Sequence, residues 1–264
     1  MAYKLIAIDI DETLLDHNGK IPPRVCDAVS RAVAKDAHVV LCTARTKTGA
    51  QRFYDALGLD TYFITSGGAE VFDASGNAVF SQPVDPNIVK ELLRYAYDND
   101  VHAQVYIDGD LVYREKNDHA AVYELGYGFP GIAMPDILDC EELITPKVLL
   151  VVDKDKIDVF QKRTEQVFPM LATRRSRPMY LELTHPGISK GEALKFVAEA
   201  YCVSQQEIIA VGDTEVDKSM LEYAGLGVAV ANGDKDLKDI ADIVCASNND
   251  GGVADIITQY ILEA

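Results

Sequence analysis

The amino-acid sequence predicts an α/β protein, a parallel-sheet core interrupted by an inserted α+β module. Three observations carry that expectation. Buried-looking apolar runs such as HVVLCTAR (residues 38–45) and EIIAVGD (207–213) alternate with amphipathic helical patterns at both ends of the chain. From about residue 84 to 184 the alternation gives way to hairpins mixed with helices. Parallel alternation then resumes at Ile188. The expected domains are residues 1–83 with 185–264 as the core, and residues 84–184 as the insert.

Each element has a local reason. Leu5, Ile6, Ala7 and Ile8 form a first buried strand that runs into Asp9 and Asp11. HNGKIPP is a turn-rich loop, after which Val25, Ala28, Val29, Ala32 and Val33 recur at helical spacing. The strand HVVLCTAR ends in Thr43 and Arg45. A helix over residues 48–58, a short strand at 62–65 and a hairpin around DASGN complete the first block. The insert reads as a helix (88–99), the hairpin VYIDGDLVY with Asp-Gly at its turn, a short helix, strand KVLLVVD, a helix (156–168) and strands near ATRR and MYLEL. Then come a helix opening at Lys190, strand EIIAVGD, a helix from Asp217, strand GVAVAN, a helix, strand DIVCAS and a last helix. GYGFPG (126–131) matches the dinucleotide pattern GxGxxG, but a helical pattern precedes it and Pro130 and Pro135 prevent a helix from following. It reads as a loop.

Composition narrows the function. A chain of 264 residues with 48% hydrophobic and 25% charged residues is an ordinary soluble globular protein. The formal charge of −17 argues against nucleic acid as a partner. No apolar run reaches membrane-spanning length, and Asp9 interrupts the N-terminus too early for a secretion signal, so a cytoplasmic protein without membrane partners is expected. A small phosphorylated ligand remains compatible, because a metal and a few basic side chains can make one pocket locally positive. The five cysteines form no CxxC pair and read as reduced core thiols.

The acids carry the chemistry. Residues two apart on a strand point the same way, so Asp9 and Asp11 are expected to sit together at the strand's C-terminal end. Two ionised carboxylates that close repel unless one is protonated or a cation lies between them, and Mg²⁺ is the hard cation that suits oxygen ligands. Ligands of open α/β sheets bind beyond the carboxyl ends of the strands. Asp9, Asp11 and Thr13, then Thr43 and Arg45, then Asp213 and Asp217 follow such strand ends, and Lys190 opens the helix after the insert. Together they offer a nucleophile, a proton donor, a metal site and cationic groups, which is what phosphoryl transfer requires.

In that order, DxDxT, a strand ending in Thr, Lys and GDxxxD, the chain resembles the haloacid dehalogenase superfamily of phosphotransferases. Its insert is similar to the type IIB cap of the Cof-like sugar-phosphate phosphatases. The likeness extends through YLELTHPGISKG, GDTEVDKSMLEYAG and NNDGGVA. It implies a Rossmann-like core and an Mg²⁺-dependent phosphatase of small phosphorylated metabolites, with sugar phosphates as the expected substrates. On that resemblance Asp9 is the nucleophile and Asp11 the acid and base. Mg²⁺ is held by the Asp9 carboxylate, the Asp11 carbonyl and Asp213. Thr43 and Lys190 bind phosphate, Arg45 helps bind it or positions the cap, and Asp217 lies in the metal's outer shell or orients Lys190. Tyr106, Arg174, Arg175, Tyr180 and Glu182 are the candidate cap contacts. Four positions depart from the family pattern: Glu12 and Ala44 replace glycines, and Gly67 and Val216 replace asparagines. A phosphomutase with the same cap, or a weakly active metabolite sensor, is the alternative.

Overall fold

The structure is a computed structural model and describes residues 2–263. Its central strand, β1 (Leu5–Ile8), is fully buried. Ile6 and Ile8 enter one apolar cluster, while Leu5 and Ala7 enter another on the opposite face. Burial on both faces is why the strand is a continuous apolar run instead of an alternating one. Helix α1 (Pro23–Val33) returns the chain to β2 (His38–Cys42), and α2 (Lys47–Ala56) leads to β3 (Phe63–Thr65). The hairpin β4 (Glu70–Phe72) and β5 (Ala78–Ser81) follows.

The inserted segment contributes α3 (Pro86–Asp98), the hairpin β6 (His102–Ile107) and β7 (Asp110–Tyr113), and α4 (Asp118–Tyr127). It continues with β8 (Ile132–Ala133), β9 (Lys147–Val151), α5 (Ile157–Val167), β10 (Ala172–Arg177) and β11 (Tyr180–Thr184). Asp108 and Gly109 at the β6–β7 turn both have positive φ, the backbone that a two-residue hairpin of matching twist requires. GYGFPG, expected as a loop, begins inside the last turn of α4 with Gly126 and Tyr127, and only residues 128–131 form the loop that leaves it. Gly128, at φ 80°, caps the C-terminus of α4.

The chain then forms α6 (Lys190–Ala200), β12 (Ile208–Gly212), α7 (Lys218–Tyr223), β13 (Leu226–Val230), α8 (Lys235–Ile240), β14 (Ile243–Cys245) and α9 (Gly252–Ile257). The larger sheet runs β14-β13-β12-β1-β2-β3-β4-β5. It is parallel from β14 to β3, and β4 pairs antiparallel with β3. β1 lies between β2 and β12, so the strand order reverses direction there. That reversal is the topological switch point, where open α/β sheets place their ligands.

The described chain divides into two compact units. One comprises Met1–Arg45, Ala50–Phe80 and Ser189–Ala264, the other Thr46–Gly49 and Ser81–Ile188. The second unit has its own sheet, β10-β11-β9-β6-β7-β8, in which only β7 and β8 are parallel. One face of that sheet is covered by α3 and α5 around Leu92, Leu93, Val148 and Leu183. The cysteines differ from the expectation of core thiols. Cys42 is buried, but Cys26, Cys140 and Cys245 are half-buried and Cys202 is exposed just after α6.

Leu92 is fully buried in the second unit's core. Leu92→Ala is expected to destabilise the protein by about 2–5 kcal/mol, read as a lower urea midpoint.

Candidate functional site

The site grows from the ends of β1, β2 and β12. β1 stops at Ile8, and Asp9 follows in extended backbone, at φ −69° and ψ 158°. The chain then turns tightly through Ile10–Leu14, with Asp11 extended and Glu12 left-handed at φ 58°. Strand alternation therefore does not govern Asp9 and Asp11, contrary to the expectation from their spacing. Asp9 faces Lys190 and Asp11 faces Arg45. Glu12 is exposed, and it occupies a backbone conformation that glycine adopts without steric cost.

Lys190 opens α6, where a cation opposes the helix dipole. Two carboxylates outweigh that penalty. Its Nζ donates to Asp9 Oδ1 at 2.5 Å and to Asp217 Oδ1 at 2.6 Å, with all three side chains almost wholly buried. Asp217 is held in turn by the backbone N–H groups of Asp213 (3.0 Å) and Thr214 (3.1 Å), both on Oδ2. This return of the chain needs Gly212, where a Cβ would lie 2.4 Å from the Asp217 side chain. Gly191 serves similarly, since a Cβ there would meet the Ser219 carbonyl of α7 at 2.3 Å. Asp213 accepts a hydrogen bond from Thr13 Oγ1 at 3.1 Å.

Carboxylate oxygens of Asp9, Asp213 and Asp217 lie within 4.8 Å of one another. Three carboxylates and one ammonium carry a net charge of −2 when all are ionised. Burial pushes Asp9 up to about 7, opposed by Lys190 and reinforced by Asp217 and Asp11. Burial likewise pushes Asp213 up to about 9, reinforced by Asp9 and Asp217. Burial disfavours the charged form of Lys190, yet Asp217 and Asp9 outweigh it and hold the ammonium well above its ordinary range. The cluster is thus short of positive charge. Its donors are hard oxygens, which fit a divalent ion such as Mg²⁺. The nearby Cys42 thiol is pushed upward by burial and stays protonated, so it offers no thiolate. Both Asp217 oxygens already accept hydrogen bonds, so its geometry suits anchoring Lys190 better than holding an ion.

Of the remaining expected residues, Thr43 is buried and its hydroxyl accepts the Arg45 N–H at 3.1 Å, leaving its own proton to donate elsewhere. Arg45, expected on phosphate or at the cap, forks onto Asp11, Nε to Oδ2 and Nη2 to Oδ1, each at 2.8 Å. In the inserted unit, strand pairing puts Arg174 and Glu182 on one sheet face, with Tyr180 and Tyr106 on that same face. Arg175 alternates to the other face and bonds Asp158 and Gln161 of α5, so it does not join them.

Several residues were missed in the sequence. Lys147 forms a buried ion pair with Glu182 at 3.0 Å and lies 5.3 Å from the Tyr106 ring centroid. It heads the apolar strand KVLLVVD, where nothing local distinguishes it from a charge at a strand boundary. Asn232 and Asn248 donate to the carbonyls of Glu12 and Leu15, both at 2.7 Å, and so clamp the turn that carries Asp11. NNDGGVA was visible as a motif, but its reach to residue 15 was not.

A family model of haloacid dehalogenase-like hydrolases matches residues 6–257. The chain belongs to that family. The Bacillus subtilis protein YxeH is 31% identical over 274 residues, covering 98% of this chain and 99% of its own. The pyridoxal phosphate phosphatase YbhA of Escherichia coli is 27% identical over 273 residues, covering 99% and 100%. A sugar phosphatase of haloacid dehalogenase subclass IIB shares the fold at a TM-score of 0.85 and 20% identity, covering 97% of this chain and 98% of the other.

Glu12→Gly should raise stability by about 1 kcal/mol in chemical denaturation, because it removes left-handed strain. In chelator the folded protein keeps protons on Asp9 up to about pH 7 and on Asp213 up to about pH 9, which both acids lose near pH 4 in the unfolded chain. Thermal stability should therefore fall as pH rises through that window, and millimolar Mg²⁺ should flatten the fall.

Proposed function

We propose that the protein is a divalent-metal-dependent phosphatase that hydrolyses small phosphomonoesters, sugar phosphates among them, through an aspartyl-phosphate on Asp9. One observation carries this reading: Lys190 bridges Asp9 and Asp217 with Asp213 alongside, in a cluster two positive charges short of neutral. Asp9 is the acid that Lys190 both orients and discharges. Its carboxylate attacks phosphorus in line, and the phosphorus bond to the leaving oxygen breaks as Asp11 supplies that oxygen with a proton. Water then attacks, Asp11 takes its proton, and the bond to Asp9 breaks with its electron pair returning to the carboxylate.

Thr43 donates its hydroxyl to the transferring phosphate, and Lys190 offsets its charge. The side chains of Asp9 and Asp213, with the Asp11 carbonyl, would hold the divalent ion, which when bound supplies positive charge to the phosphate oxygens. Asp217 keeps Lys190 in place. In the inserted unit, the face bearing Tyr106, Lys147, Arg174, Tyr180 and Glu182 mixes both charge signs with phenols. That mixture suits a polar leaving group with several hydroxyls. Family relatives with different phosphorylated substrates, pyridoxal phosphate for one, support small metabolites as the class.

The experiment is phosphate release from a panel of phosphorylated metabolites, with and without chelator. Release should need a divalent ion, and Asp9→Asn should lower it by roughly 10³-fold or more while leaving the melting curve cooperative. Turnover by the Asn variant at the wild-type rate would remove the nucleophile.

A further inference from the structure

We propose that Arg45 is a positioning residue for Asp11 and not a ligand of the transferring phosphate. The inference rests on the proposed role of Asp11 as acid and base. A guanidinium grips two oxygens best through one edge, and the Nε–Nη2 edge of Arg45 is already closed on both oxygens of Asp11. The ion pair is neutral overall, so it adds little attraction for a dianionic phosphate. Asp11 itself lies in a turn instead of a strand.

Arg45 is itself held from several directions. Its N–H donates to Thr43 Oγ1 at 3.1 Å, and its carbonyl accepts the Ser66 N–H at 2.7 Å. Its guanidinium carbon lies 5.4 Å from the Phe53 ring centroid, and the side chain is only 4% exposed. The side chain of Asp11, in contrast, is 29% exposed. A buried, clamped arginine therefore fixes the direction of a partly open carboxylate. With two N–H donors on its two oxygens, the Asp11 carboxylate is fixed in direction for the step in which water attacks the aspartyl-phosphate. In that step the water oxygen bonds phosphorus, the phosphorus–Asp9 bond breaks toward Asp9, and the water proton passes to Asp11.

A double-mutant cycle on the full-length protein tests this with p-nitrophenyl phosphate. Arg45→Met should lower kcat by about 10–100-fold, because water attack loses its aligned base. It should leave the inhibition constant of inorganic phosphate within about threefold of wild type. In an Asp11→Asn background the same substitution should cost less than about threefold, since a residue that acts through Asp11 has nothing left to align. If Arg45→Met does not fold, Arg45→Lys, which keeps charge but not the fork, runs the same cycle with the same expectation. Equal losses in both backgrounds, with phosphate inhibition weakened in parallel, would overturn the proposal and make Arg45 a phosphate ligand. Wild-type turnover by Asp11→Asn alone would instead overturn the acid and base assignment, whatever Arg45 does.

Discussion

The buried ammonium of Lys190 is the constraint on which the site depends. A charge taken out of water at that depth is costly unless it is met by opposite charge and good hydrogen bonds. Asp9 and Asp217 meet it from two sides, and the backbone of Asp213 and Thr214 holds Asp217 in turn. Removing one member of such a set leaves an uncompensated buried charge, which typically costs about 3–5 kcal/mol. The arrangement therefore has two consequences at once. It orients Asp9, and with Asp213 it gathers two more carboxylates than the one ammonium can neutralise. A divalent cation is the economical answer to that surplus.

The fold supplies the convergence. Asp9 leaves β1 and Asp213 leaves β12, the two neighbours at the switch point. Thr43 leaves β2 on the other side of β1. Lys190 arrives at the head of α6, which reaches its place only because Gly191 lets it press against α7. None of these neighbours is close in sequence: Lys190 and Asp9 are 181 positions apart. A parallel sheet solves this by ending its strands at one edge, with each loop free to carry a different group.

The departures from the family pattern become physical questions once placed. Glu12 sits where the backbone is left-handed, a conformation with a small steric cost for any residue with a Cβ. Asn232 and Asn248 bind the carbonyls around it, and those bonds help hold the turn against that cost. Gly67 at φ 69° has open space where a Cβ would be, so an asparagine would fit without displacing a neighbour. Its N–H still reaches the Thr43 carbonyl at 2.9 Å, so the backbone around Thr43 is held without the missing amide.

The sequence by itself determined the elements and their class. Apolar runs buried on both sides, helical periodicity and the Asp-Gly turn are local signals, and each element they indicate is present, with the short strand β1 ending where its apolar residues end. It also picked out Asp9, Lys190, Asp213 and Asp217, because acids and lysines at strand and helix ends are legible as an ordered motif. Partnership was decided only in three dimensions. Arg45 pairs with Asp11, Lys147 pairs with Glu182, Arg175 turns to the helical face, and two asparagines near the C-terminus clamp a turn near the N-terminus. The physical reason is that a side chain's role depends on which opposite charge or unsatisfied carbonyl lies within about 3 Å of it. Chain order carries that information only where the backbone path is regular, and the turn after β1 is not.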